Sequence, residues 1–135
     1  MSYLRIFLLT MAAAGSIATS ARAQATLFDS QFLRTSCLQN TCEAALRGEV
    51  GRLVASRLES AELNSQLGAM AAILVDLARG ASAEKSVQIA RALLFLAQYS
   101  NDEIQRNSLL QLAQAIADGT ADLFDLQQPF AVSPN

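Results

Sequence analysis

Histidine occurs nowhere in this 135-residue chain. Its absence excludes Ser-His and Cys-His nucleophile pairs, the common zinc sites and His-ligated haem, and with them most familiar routes to hydrolysis and metal chemistry. Tryptophan is also missing, and aromatic residues make up only 6% of the chain, so the core has to be built from Leu, Ala, Ile and Val. That palette favours closely packed helices over strands. No cluster of basic residues stands anywhere along the sequence, so there is no electrostatic footprint for nucleic acid. Nor does any apolar run reach the roughly 20 residues that a membrane-crossing helix requires.

What is present begins with an export signal. Arg5 lies near the amino terminus, the apolar run Ile6 to Ile17 follows, and small residues close the segment at Ala21-Arg22-Ala23. This is the build of a cleaved secretory signal, with the cut between Ala23 and Gln24. No Cys ends the apolar run and no Arg pair precedes it, which speaks against a lipoprotein and against the twin-arginine route. The expected organisation is therefore a signal peptide over 1–23, one helical domain over 24–126 and an extended tail over 127–135. Removing 23 of 135 residues leaves 112, enough for one core and too few for two domains. Arg5 and Arg22 leave with the signal, so eight basic and twelve acidic residues remain, a mature net charge of −4.

Cys37 and Cys42 are the only cysteines. An even pair this close in an oxidising compartment reads as a disulfide. Positions five apart on one straight helix point roughly 140° away from each other, so the chain has to turn between them. Asn40-x-x-Glu43 supplies a reason, since it fits a capping box that would open a new helix. Closing so short a loop contributes about 2 kcal/mol. The competing reading is a redox-active dithiol, with a thiolate favoured by the first-turn amides. The spacing is not C-x-x-C, however, and no βαβ pattern surrounds it, so a structural bridge is the expectation.

Apolar residues recur at three and four positions through the rest of the mature chain. Leu27, Phe28, Phe32 and Leu33 suggest a short helix within Gln24 to Ser36 that lids one end of the core. Cys42, Leu46, Val50, Leu53, Val54 and Leu58 mark a second, in which Gly48 and Gly51 predict a kink or a break. Leu63, Leu67, Met70, Leu74, Leu77 and Ala78 mark a third that stops at Arg79-Gly80. Ser82 then caps a fourth, ending near Tyr99, whose second half from Ala90 to Ala97 is apolar almost all round apart from Arg91. A helix apolar on every face is buried on every face, so this one is expected to be central, with Leu93, Leu94 and Leu96 in the core. Ser100-x-x-Glu103 reads as the capping box of a fifth, carrying Ile104, Leu109, Leu112, Ala113 and Ile116 inward until Gly119. A last short helix from Thr120 to about Leu126 would set Leu123, Phe124 and Leu126 against the bundle before Pro129.

The expected fold is thus all-α, a small antiparallel bundle of four to six helices. A helical-hairpin solenoid is the alternative, because Leu74-Leu77-Ala78-Glu84 matches Leu93-Leu96-Ala97-Glu103 at an offset of nineteen residues. Two further features carry less. Asp118, Asp122 and Asp125 lack the alternating ligands and closing Glu of a calcium loop, and read as caps and solvated charge. Asp76 has no second carboxylate that can be placed beside it, so it reads as a surface partner of the nearby Arg79 and not as a catalytic acid. No catalytic, cofactor-binding or metal-binding residue is assigned. The functional expectation is an exported, periplasmic or extracellular, non-catalytic interaction or chaperone-like module whose partner is another exported or envelope protein. The alternatives are a carrier of an apolar ligand between helices, and an enzyme using carboxylates or the Cys37/Cys42 dithiol.

Overall fold

Four of the five helices in the computed structural model, which describes residues 26–120, start or stop at a residue whose chemistry fixes them there. Asp29 caps α1 (Ser30–Leu38), its side chain accepting from the Phe32 amide. Ser82 does the same for α4 (Ala83–Tyr99), accepting from the Lys85 amide as the sequence predicts. Gly80 and Gly119, with φ of 70° and 67°, take the left-handed backbone that lets α3 (Ser60–Ala78) and α5 (Glu103–Asp118) end. The fifth element, α2, runs over Cys42–Ala55. The described residues form five helices and no strand, an all-α bundle.

Two caps differ from the sequence reading. Asn40 is not the N-cap of α2; it sits at φ 68° just past the end of α1, and the Thr41 amide reaches back to the Ser36 carbonyl at 3.0 Å. Asn tolerates that left-handed conformation better than most residues, so it closes the first helix instead of opening the second. Glu43 does not reach back either, but pairs with Arg47 one turn on at 2.9 Å. At α5 the cap is Asp102, which accepts from the Gln105 amide, while Ser100 terminates α4. Starting the helix at Glu103 turns Ile104 outward, 77% exposed, and brings Gln105 into the buried stripe with Leu109, Leu112, Ala113 and Ile116.

The glycines of α2 do not break it. Gly48 and Gly51 lie within one continuous helix, both exposed, with open space where a Cβ would stand. The stripe Cys42, Leu46, Val50 and Leu53 is buried, and that packing outweighs about 1 kcal/mol of lost propensity per glycine. Val54 falls outside the stripe and is exposed.

One continuous core joins all five helices. Helix α4 packs along α5 and α3 and also meets α2, while α1 lies over α2 and α3. The central placement of α4 therefore holds, with Leu93 and Leu96 fully enclosed. The enclosure on every side does not: Leu94 is 43% exposed. Helices α2, α3 and α5 cover only part of α4, and the uncovered strip runs through Val87, Arg91, Leu94 and Gln98, all exposed. The expected signal segment, the Ala23/Gln24 cleavage site, the final helix to Leu126 and the tail lie outside the described residues.

Candidate functional site

The uncovered strip of α4 forms one wall of a groove whose other wall is α5. The turn Ser100 to Asp102 is only three residues long, so the two helices run antiparallel and side by side. From α4 the groove is lined by Val87, Ala90, Arg91 and Leu94, and from α5 by Leu110, Ala113, Gln114 and Ala117, enclosing about 420 Å³. The alanines keep the floor shallow and the two backbones close. Val87, Leu94 and Leu110, 40 to 43% exposed, stand as apolar walls open to solvent, and Arg91 and Gln114 add polar groups. The lining carries no carboxylate, hydroxyl or thiol, so it offers shape and apolar contact and no nucleophile or general base.

What holds the two walls in register is a buried polar knot at the other end of the hairpin. The Ser100 hydroxyl donates to Gln105 Oε1 at 2.6 Å, and Gln105 Nε2 donates to the Asn64 carbonyl at 2.8 Å. Asn64 Oδ1 in turn accepts from the Asn101 amide at 2.9 Å. All three side chains are buried, and each bonds a partner on a different element or turn, so α3 and the α4–α5 hairpin are fixed in one alignment. Sequence periodicity passed over this knot because it reads polar residues as outward-facing. The one available signal was that Gln105 falls four residues before Leu109 on the inward stripe.

A second recess lies between α1 and α2, about 630 Å³, lined among others by Phe32, Ala44, Gly48, Glu49 and Arg52. Glu49 is the one buried carboxylate among the described residues. It is bonded to Arg52 and also accepts from the Asp29 amide at 3.3 Å. The hydrogen bond that Arg52 donates to Glu49, and then the charge of Glu49, raise the pKa of the Arg52 guanidinium above its ordinary value. A carboxylate committed to a guanidinium and an amide is a structural tie and a poor general acid or base.

The cysteines are joined, with Cys37 and Cys42 sulfurs 2.07 Å apart and both residues buried. Three oxygens of the turn they enclose converge on one cation. Lys85 Nζ donates to the Cys37 carbonyl at 3.0 Å, the Leu38 carbonyl at 2.8 Å and Asn40 Oδ1 at 2.9 Å. The ammonium thereby serves the unpaired carbonyls at the end of α1 and fastens them to the first turn of α4. Burial of both cysteine residues limits access of dissolved thiols to the bridge.

Asp76 is paired across the surface with Arg34 at 2.8 Å, a partner the local sequence did not suggest, while Arg79 adds only a weaker attractive field. The Arg34 hydrogen bond holds the Asp76 carboxyl below its usual range. Among the described residues no three His, Cys, Asp or Glu side chains converge as metal ligands, and no helix is long and apolar enough to cross a membrane. Asp122 and Asp125 of the acidic DGTADLFD stretch lie outside the described residues. Comparison with protein-family models, with curated proteins and with solved structures finds no match to this chain.

Proposed function

We propose that this protein is an exported, non-catalytic interaction module that receives the apolar face of a helix from another exported or envelope protein in the α4/α5 groove. The observation that carries this reading is Leu94, a large apolar side chain left 43% exposed on the helix around which the core is built. With Val87 and Leu110 it makes an apolar strip at helical spacing between two rigid walls, the arrangement into which amphipathic helices dock through residues three, four and seven apart. The absence of histidine and the commitment of Glu49 to Arg52 favour binding over chemistry. Export is supported by the signal-like segment over 1–23 and by the disulfide, which persists in oxidising compartments.

The test substitutes Leu94→Glu and Leu110→Glu separately in the mature chain and follows complexes from cell envelopes by native mass spectrometry. A stoichiometric protein partner bound by the parent and lost in both variants, with unchanged urea midpoints, is the expected result. Retention of that partner by Leu94→Glu overturns the assignment of the groove. Amino-terminal sequencing of exported protein is expected to begin at Gln24, and a sequence beginning at Met1 overturns the cleavage.

A further inference from the structure

The groove lies beside the point where the described chain ends. Gly119 is left-handed, and the Thr120 amide bonds back to the Ala115 carbonyl at 3.0 Å, so the helix closes within three residues of Ala117, which is part of the lining. Fifteen residues follow Thr120. The first of them, Ala121-Asp122-Leu123-Phe124-Asp125-Leu126, interleave apolar and acidic residues, the complements of the groove's apolar walls and its arginine. Leu123, Phe124 and Leu126 match the apolar strip of Val87, Leu94 and Leu110. Asp122 and Asp125 match Arg91, a cation with no acidic partner among the described residues.

Length permits the match. From Ala117 back to Leu110 is seven residues of helix, about 11 Å at 1.5 Å per residue. Six residues span about 20 Å extended, so in that form the segment reaches along the groove from its exit point, whereas a helix of about 9 Å would stop short of Leu110. Tethering also raises its effective concentration to the millimolar range, which a free partner has to outcompete.

We propose that residues 121–126 of the chain itself are the resident occupant of the α4/α5 groove, through Leu123, Phe124 and Leu126, and that an external helix binds by displacing them. This rests on reading the groove as a docking surface. It adds self-occlusion: the strip is shielded until a competing apolar helix is present.

The experiment places a single reactive thiol at the strip, Leu94→Cys, in the full mature chain, where Cys37 and Cys42 are already bridged. Its rate of maleimide modification is compared with that of the same chain also carrying Phe124→Asp and Leu126→Asp. A segment seated about nine-tenths of the time slows modification about tenfold, so the doubly substituted chain is expected to react about ten times faster. Val54→Cys, exposed on α2, serves as the control and should react equally in both backgrounds. Equal rates at position 94 overturn the proposal. Protection that grows with protein concentration also overturns it, since the occupant is then the tail of a second copy. The two readings fail separately. If the thiol is unprotected while Leu94→Glu still abolishes partner binding, only the self-occlusion falls; if it is protected while partner binding ignores Leu94→Glu, only the partner site falls.

Discussion

The two faces of α4 carry the same kind of residue and meet opposite fates. Leu93 and Leu96 are fully enclosed between α2, α3 and α5, while Leu94, beside them in sequence, stands in an open groove. Composition does not separate them. What separates them is the company each keeps at three and four residues: Leu93 has Ile89, Ala90, Leu96 and Ala97 there, all buried, whereas Leu94 has Ala90 and Ala97 on one side and the exposed Arg91 and Gln98 on the other. A leucine on a polar stripe is one whose burial the fold does not supply, and a partner can supply it instead.

The largest expected effect sharpens that contrast. Leu96→Ala should lower stability by about 2 to 5 kcal/mol, because it removes buried methyl groups and leaves a cavity. Leu94→Ala should change it by less than about 1 kcal/mol, since much of its surface is already in water. Urea unfolding of both variants measures the difference, and losses of equal size would show that the two faces are equally buried.

A smaller contrast holds among the glutamines of α5. Gln105→Ala leaves the Ser100 hydroxyl and the Asn64 carbonyl without their buried partner, which costs about 1 to 3 kcal/mol. Gln114→Ala, on the groove side of the same helix, is expected to stay within about 0.5 kcal/mol. Denaturant midpoints again decide it, and a Gln105→Ala variant as stable as the parent would mean that the knot does not set the register.

How far the sequence foretold this contrast follows from what periodicity can see. The helix count within the described residues, the inward stripes of α2 and α3, the Ser82 cap and the disulfide were legible, because each rests on local spacing or on a pair of like residues. The errors share a cause as well. Asn40 and Ser100 were read as opening helices when they close them, since Asn and Ser serve both ends and only the tertiary path decides. Gln105, Asn64 and Glu49 were not placed inside, because a polar residue is buried only where a distant partner meets it. The groove was hidden by reading Ala90 to Ala97 as a composition instead of as separate stripes, although Arg91 already marked the open one.

The faintest expected effect concerns Asp76, whose partner Arg34 lies on a different helix. Its carboxyl is held below the ordinary range by that hydrogen bond, so the folded state releases the proton more readily than the unfolded chain does. The pair therefore supports the fold fully above the unfolded carboxyl's range, near pH 4, and loses that support as pH falls through the lower folded value. Asp76→Asn should differ slightly from the parent in melting temperature at pH 7, and the gap should close in strong acid. A gap that is unchanged across that range would remove the pair from the fold's pH response.

The Lys85 clamp also sets an order in time. The α1–turn–α2 hairpin is local and is held by its own covalent bridge, so it needs little chain search to form. The bonds from Lys85 span 45 to 48 residues and can close only after α3 and α4 have been brought back across the hairpin. An interaction made that late belongs to the native side of the barrier, where it holds the finished structure shut without hastening its formation. Lys85→Met should accordingly speed unfolding in stopped-flow measurements while leaving the refolding limb almost in place, and a refolding limb that slows in equal measure would put the clamp in the folding nucleus. For the exported role proposed above, a slow opening rate is the form of stability that governs survival.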